Sequence, residues 1–404
     1  MKSFVPSVLV AALSLLGLPA AAGQLSERGF KELKKQLKVA AAQGDHDALA
    51  RVLGELALDD SERAVDLVLK TALGVPTGQV LGAAGQALAS MRGAEAVAAI
   101  VERVEKTKGH PGAKILCIDA LAGHADAASG QALGAALEDR RPEVLRAALA
   151  AIRKRRAPEA VPGLIDLFER LAKRGDAFLE SEVNDALFEI TGKSFEDPAD
   201  WRKYWEVAQG QDRPMTGREA GTGERVKKPR PTFFGSEIAS DRVVFVIDVS
   251  GSMDGDRIQR CKSQLSGCID ALTAKSAFTI VAFSDSIRVW NKSLQQATPN
   301  NKEKARGFVE GLQASGATFT LSALKSGFEV EGADTLVLLS DGAPTETGAN
   351  GAQVTVPEIL DEVRGVNQFK KWRVDTFGFG AEGDFKKFLE DLATEHGGKF
   401  TPIS

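Results

Sequence analysis

The chain divides into two halves with different hydrophobic patterns. Residues 25–207 are rich in Ala and Leu, and their apolar positions recur at helical spacing, which predicts an all-α region. Residues 233–404 instead alternate short Val-, Ile- and Phe-rich runs with amphipathic segments, which predicts a doubly wound α/β domain with a mostly parallel sheet. Residues 208–232 contain Gly, Pro, Thr and scattered charges without apolar periodicity, and we interpret them as a linker.

A weak internal repeat runs through the helical half. Apolar anchor residues in related Ala/Leu-rich contexts recur at intervals of 32, 33, 31 and 35 residues, at Leu56, Leu88, Leu121, Ile152 and Leu187. A second helix is expected after most anchors, for example over 94–104 and 157–171. Periods of this size indicate stacked helical hairpins, and the unit resembles HEAT-type repeats, which form a solenoid. An irregular helical bundle is the alternative interpretation.

The pattern of the second half predicts six strands and five helices. The strands are expected at 243–248, 278–283, 287–290, 335–339, 373–379 and 399–401. The helices are expected at 257–272, 302–312, 321–328, 356–366 and 385–395. The connection between the second and third strands is short enough for a hairpin, so one edge strand is expected to be antiparallel.

Composition and charge limit the class of protein. The 404 residues are 43% hydrophobic and 26% charged, which is typical of soluble globular protein and allows two or three domains. Lys and Arg number 51 against 55 Asp and Glu, and this net charge of -4 argues against a nucleic-acid partner. Cys261 and Cys268 lie about two turns apart on one predicted helix, beyond disulfide reach, and Cys117 lies in the other half. We therefore expect free, buried thiols.

Residues 1–22 have the composition of a secretory signal peptide. Lys2 provides the positive start, an apolar stretch follows, and Ala20, Ala21 and Ala22 offer a small-residue cleavage site. An uncleaved anchor or a buried helix is the alternative. The apolar stretch is short for a membrane span, and no later stretch is long and apolar enough to cross a bilayer. We expect export to the periplasm or the extracellular space, with no stable membrane span after the signal is removed.

The most informative polar cluster follows the first strand of the second half. Asp248, Ser250 and Ser252 alternate directly after the apolar run 243–247, so their side chains can point to a common position. The turn that carries them lies at the carboxyl edge of the predicted sheet, where ligands bind in open α/β folds. One carboxylate and two hydroxyls are hard oxygen ligands, which suit Mg²⁺ or Ca²⁺.

This cluster resembles the Asp-x-Ser-x-Ser motif of the metal-ion-dependent adhesion site in von Willebrand factor type A (VWA) domains. The family's second motif, a Thr on a loop before Ala-Leu, is matched by Thr318, and its third, Asp-Gly after an apolar strand, is matched by Asp341. Ala317 departs from the family, which often has Gly there. The resemblance implies one divalent cation, with Mg²⁺ expected and Ca²⁺ or Mn²⁺ as alternatives, held by Asp248, Ser250, Ser252, Thr318 and Asp341.

Further residues near the motifs are candidates for supporting roles. Asp254 and Asp256 are candidates for tuning the ion or holding a neighbouring one, and capping the helix that begins near Asp256 is the simpler alternative. Gly251 and Gly316 are expected to supply backbone angles that tight ligand loops require, and Gly342 is expected to do the same.

The expected function is binding rather than catalysis. Two neutral hydroxyls neutralise the ion poorly, so we expect it to complete its coordination with an Asp or Glu carboxylate from a partner protein. The helical repeats are expected to act as a scaffold. No His lies in the motifs and no Gly-x-Ser-x-Gly elbow occurs, so the chain is not expected to be an enzyme. The alternatives are a metal-assisted hydrolase and a structural protein in which the ion only stabilises the fold.

Overall fold

The computed structural model describes residues 24–106, 109–174, 177–209, 230–348 and 351–404. The predicted signal peptide lies outside these residues, and so do residues 210–229, most of the predicted linker. Eleven helices come first in this described part: α1 (Glu27–Gln43), α2 (His46–Leu56), α3 (Glu62–Gly74), α4 (Gly78–Ser90), α5 (Ala94–Glu105), α6 (Pro111–Leu121), α7 (Ala127–Ala136), α8 (Pro142–Arg155), α9 (Val161–Arg174), α10 (Ala177–Thr191) and α11 (Pro198–Ala208).

Short polar side chains begin most of these helices. A side-chain oxygen just before the first turn accepts a hydrogen bond from a free backbone N–H, which fixes where each helix starts. The residues that do so at α1, α2, α3, α4, α7 and α11 are Ser26, Asp45, Ser61, Thr77, Asp126 and Asp197. The helical half is therefore divided by local sequence signals.

The helices stack in two layers. Helices α2, α4, α6, α8 and α10 pack in order on one side, and α3, α5, α7 and α9 pack in order on the other. The five repeat anchors are fully buried and fall one to each helix of the first layer, at Leu56, Leu88, Leu121, Ile152 and Leu187. This confirms the predicted solenoid of stacked hairpins. Helix α1 packs on α2 at one end, and α11 buries Trp201 against Phe195 beside α9 at the other.

The second half forms a twisted sheet between helices. Its strands are β3 (Arg242–Asp248), β4 (Ala277–Phe283), β5 (Ile287–Val289), β6 (Gln295–Gln296), β7 (Thr335–Ser340), β8 (Arg373–Phe379) and β9 (Phe400–Ile403). A small ribbon, β1 (Thr232–Phe233) with β2 (Ser236–Glu237), precedes the sheet. The helices are α12 (Asp256–Ala271), α13 (Pro299–Glu310), α14 (Thr320–Phe328), α15 (Val356–Asn367) and α16 (Gly383–Glu395).

The strand order is β5-β4-β3-β7-β8-β9, and the four pairs from β4 to β9 are parallel. The predicted antiparallel edge strand is confirmed, because β5 pairs with β4 in that direction. The short β6, which also pairs with β4, was not expected from the pattern. Every residue of β4 and β7 is buried. The sheet is covered on both faces, as its continuous apolar runs predicted.

Helix α15 of the sheet domain packs against α4 of the solenoid. Asp119 on α6 accepts hydrogen bonds from Lys371 Nζ at 2.7 Å and Gln368 Nε2 at 2.8 Å, just beyond the end of α15. Cys117, Cys261 and Cys268 are buried and free, as expected. Among the described residues, no helix is long and apolar enough to span a membrane.

Candidate metal site

Asp248 is the last residue of β3 and is fully buried at the carboxyl edge of the sheet. Its Oδ1 accepts a hydrogen bond from the Ser250 amide at 2.8 Å, and its Oδ2 accepts one from Ser340 Oγ at 2.5 Å. Burial raises the pKa of Asp248 to about 6, against the opposing effect of these hydrogen bonds. The carboxylate is thus held by neutral donors and has no cation among these partners.

Ser250 and Ser252 connect Asp248 to the end of β7. The two hydroxyl oxygens lie 3.2 Å apart, and Ser252 Oγ donates to Asp341 Oδ1 at 2.7 Å. Asp341 directly follows Ser340, the last residue of β7, and its side chain is buried. Two segments separated by about 90 positions in sequence therefore present their oxygens to one another at the same sheet edge.

The loop that carries Thr318 is held against the Asp248 loop by backbone hydrogen bonds. The Gly251 amide donates to Gly316 O at 3.0 Å, and the Ser315 amide donates to Val249 O at 2.9 Å. Thr318 is buried, and its amide donates to Thr345 Oγ1 at 2.8 Å. The structure therefore brings all three predicted segments to one edge of the sheet.

Only one of the three glycines behaves as predicted. Gly316 has a φ of +80°, and a Cβ at this position would lie 2.6 Å from the Asp285 carboxylate, so this loop requires glycine. Gly251 and Gly342 are outside the left-handed region, and the prediction for them is wrong. Gly251 begins a 3-10 turn, in which ordinary backbone angles suffice. Gly255, with a φ of +78°, instead makes the sharp entry into α12.

The two accessory acids lie at the start of α12. Asp254 and Asp256 are exposed, and Gly255 occupies the N-cap with no side-chain hydrogen bond, so the predicted capping role is wrong. Glycine at this position leaves the first-turn amides without a side-chain acceptor. Asp256 lies 3.9 Å from Arg260, one turn along the helix. A role for the two acids toward an ion stays a prediction.

Three residues that contact the predicted ligand set were not predicted from the sequence. Ser340 hydrogen-bonds Asp248, Thr345 holds the Thr318 backbone, and Arg257 Nη1 lies 2.6 Å from Asp341 Oδ2. The contact of Ser340 with Asp248 was predictable from strand register. Strands β3 and β7 are parallel and pair Ile247 with Leu339, so Asp248 lies beside Ser340. The other two contacts depend on loop and helix placement that no local pattern reveals.

The donor set fits a hard divalent cation. The proposed ligands offer carboxylate and hydroxyl oxygens, which is the chemistry that Mg²⁺ and Ca²⁺ prefer, and Arg257 is the nitrogen-bearing side chain beside them. In the described part of the chain, no three His, Cys, Asp or Glu side chains are grouped to hold a metal. This is consistent with a site that has two carboxylates and otherwise hydroxyls, and it does not fit zinc-type ligation.

Part of this chain is similar to known proteins. Residues 241–401 match the family described as the von Willebrand factor type A domain. These residues form a VWA domain. The chain is 31% identical over 173 residues to inter-alpha-trypsin inhibitor heavy chain H1 from Bos taurus, covering 40% of this chain and 18% of that protein. It is 34% identical over 170 residues to heavy chain H4 from Homo sapiens, covering 39% of this chain and 17% of that protein.

The match to these relatives is confined to one part of each protein. The chain spans less than a fifth of the length of either heavy chain. Among solved structures, a von Willebrand factor type A protein from Catenulispora acidiphila is 24% identical with a TM-score of 0.35, and the match covers 42% of this chain and 40% of that one. The family match covers residues 241–401, which lie in the second half of the chain.

Proposed function

We propose that this chain is an exported scaffold protein whose VWA domain binds a partner protein through a divalent cation. VWA domains commonly mediate protein–protein interaction, and residues 241–401 match this family. The proposed ligands are Asp248, Ser250, Ser252, Thr318 and Asp341. Mg²⁺ is the proposed ion, and Ca²⁺ and Mn²⁺ have the same preference for oxygen.

This proposal is based on a continuous hydrogen-bonded path between two loops that are distant in sequence. Asp248 binds the Ser250 amide, the Ser250 hydroxyl meets that of Ser252, and Ser252 donates to Asp341. Ser and Thr hydroxyl oxygens can serve as Mg²⁺ ligands. Buried carboxylates with neutral donors are stabilised by a cation that neutralises them.

Four of the five proposed ligands have a definite task in this proposal. Asp248 supplies charge from the rigid end of β3, because its two oxygens are already oriented by Ser250 and Ser340. Ser250 and Ser252 supply neutral ligands, and Asp341 supplies the second charge from the end of β7. A bound divalent ion would supply an electrophilic position for a carboxylate of the partner protein. We assign no catalytic role to any of these groups.

The solenoid is proposed to display the VWA domain. The contact of α15 with α4, together with the hydrogen bonds to Asp119, joins it to one side of the domain. The proposed ligand loops lie at the carboxyl ends of β3 and β7, whereas Lys371 and Gln368 lie between the end of α15 and the start of β8. Parallel order places the start of β8 at the opposite edge from those carboxyl ends. The ligand edge is therefore left for a partner.

The test is capture of partners from the exported fraction by the full chain, with and without chelator. We expect specific proteins to be retained in Mg²⁺, released by EDTA, and lost with Asp248→Asn. Asp270→Asn is the matched control, because Asp270 lies near the far end of α12 and pairs with Arg306. This control should capture the same proteins as the wild type.

Two outcomes contradict the proposal. If folded Asp248→Asn captures the same proteins with the same sensitivity to chelator, the ion is not held by this site. If Mg²⁺ raises the melting temperature of the wild type but no capture depends on it, the ion has a structural role only. Fractionation of the natural host tests the proposed export separately.

A further inference from the structure

Arg257 contacts the proposed ligand set. Arg257 lies in the first turn of α12, and its Nη1 is 2.6 Å from Asp341 Oδ2 and 3.4 Å from the carbonyl oxygen of Ser252. Its side chain is 43% exposed, whereas the Asp341 side chain is buried. The guanidinium thus covers the buried carboxylate from the solvent side.

This contact divides the two oxygens of Asp341 between different partners. Oδ1 accepts from the Ser252 hydroxyl and Oδ2 pairs with Arg257. A cation that uses Asp341 therefore meets a carboxylate whose charge is already neutralised by a guanidinium. The guanidinium also repels that cation directly, and the partially positive start of α12 acts in the same direction.

We propose that Arg257 is a positioning residue that holds Asp341 in place and lowers the affinity of the site for divalent cations. This inference rests on the proposed function. Its consequence is that ion and partner bind cooperatively: a partner carboxylate restores the negative charge that Arg257 offsets. Because linkage is reciprocal, the partner tightens ion binding by the same factor by which the ion tightens partner binding.

Arg260 provides a matched control on the same helix. It lies one turn beyond Arg257 and its side chain is 41% exposed, nearly the same fraction. It donates to the Ser404 carbonyl oxygen at 2.8 Å and lies over the Phe379 ring. Within the part of the chain that the structure describes, none of its hydrogen bonds or ion pairs involves the five proposed ligands. Removing either arginine changes the net charge equally, so a difference between the two variants reports the contact with Asp341.

The experiment is calorimetric titration of Mg²⁺ into the full chain without partner. The variants are Arg257→Gln, Arg257→Met, Arg257→Lys and Arg260→Gln, each checked for native circular dichroism. We expect both uncharged Arg257 variants to bind Mg²⁺ roughly tenfold more tightly than the wild type. Arg257→Lys and Arg260→Gln should remain near the wild type. The gain should shrink as salt is raised, because the repulsion is screened.

The outcomes separate this inference from the function on which it rests. If the wild type binds no divalent ion under any of these conditions, the proposed function fails. If the wild type binds Mg²⁺ and the uncharged Arg257 variants bind it equally or more weakly, Arg257 only orders Asp341 and the inference is wrong. An equal gain in Arg260→Gln would show a general effect of net charge, which also overturns it.

Discussion

Two buried aspartates, one in the solenoid and one in the VWA domain, have opposite surroundings. The Asp139 side chain contacts Lys114 at 3.0 Å and Arg141 at 2.7 Å. Burial opposes ionisation of Asp139, but hydrogen bonds from Arg141 and Lys114 hold its pKa well below its usual range. Asp248 has only neutral donors, and burial raises its pKa to about 6. Asp139 therefore has its counter-ions within the solenoid, whereas Asp248 has no charged group among its hydrogen-bond donors.

This difference indicates where in the chain a binding site is expected. A buried charge with its own counter-ions is offset within the protein, and removing one partner leaves the other charge uncompensated. Asp248 is a buried carboxylate whose partners are hydroxyls and an amide, and it lies at a sheet edge where loops converge. Such a group lacks a counter-ion, and an external cation would supply one. The following predictions test this contrast, from the largest expected effect to the smallest.

The largest effect is expected from neutralising the two aspartates in turn without metal. Asp139→Asn leaves the Lys114 ammonium buried beside a neutral amide and should lower the free energy of unfolding by about 3 kcal/mol. Asp248→Asn should change it by less than about 1 kcal/mol, because burial already disfavours the charged form. Urea denaturation in EDTA measures both. Equal costs for the two substitutions would remove the basis of the comparison.

A second prediction concerns the loop that carries Thr318. Gly316→Ala combines a φ of +80° with a Cβ 2.6 Å from the Asp285 carboxylate, and should cost about 2–3 kcal/mol. Gly235→Ala is the control, because Gly235 has a φ of +76° with open space around it, and should cost about 1 kcal/mol. Thermal unfolding measures both. Equal costs would mean that the close approach to Asp285 does not constrain the loop.

Local patterns sufficed to predict most of the fold. The anchor spacing in the solenoid follows from helices that bury one face in each repeat, and capping residues such as Asp45 mark their starts. Strands β3 and β7 were predicted to within one residue because sheets buried on both faces impose continuous apolar runs. The two-residue strand β6 was missed, since Gln295 and Gln296 carry no apolar signal.

The site was predicted only as far as its motifs extend. Asp248 was predicted from the polar cluster at the end of an apolar run, and Asp341 from the resemblance to the family's Asp-Gly motif after an apolar strand. Arg257 was missed because its contact with Asp341 spans 84 positions and depends on the placement of α12. The glycine predictions were wrong for Gly251 and Gly342, because the presence of a glycine in a loop does not determine its φ angle. Contacts between residues far apart in sequence could not be predicted from local patterns, whereas contacts that follow from helix or strand periodicity could.

The third prediction concerns acid stability in the VWA domain. Burial, together with Lys371 and Arg364 nearby, lowers the pKa of His396 from 6.5 to about 4. The unfolded state then binds more protons between these values, so stability falls as the pH drops from about 6.5 to about 4. The loss should be roughly 2 kcal/mol, and His396→Gln should reduce it. Urea midpoints across this pH range provide the measurement, and an unchanged slope in the variant would contradict the assignment.

The smallest effect is expected where the two regions touch. Asp119→Asn weakens the contacts with Lys371 and Gln368, which are partly exposed, and should cost about 0.5–1 kcal/mol. Hydrogen exchange should increase at the end of α15 and leave the amide of Ser250 unchanged. Faster exchange at the ligand loops as well would show that the solenoid and the site are coupled.

The most direct test of the account is the stoichiometry of Mn²⁺ binding, measured by electron paramagnetic resonance of free Mn²⁺ with full-length protein. Mn²⁺ is used because it shares the oxygen preference of Mg²⁺ and is visible to this method. We predict one saturable site per chain in the wild type and in Asp270→Asn, and none in Asp248→Asn. Absence of saturable binding in the wild type, or the same site in folded Asp248→Asn, would contradict the central claim.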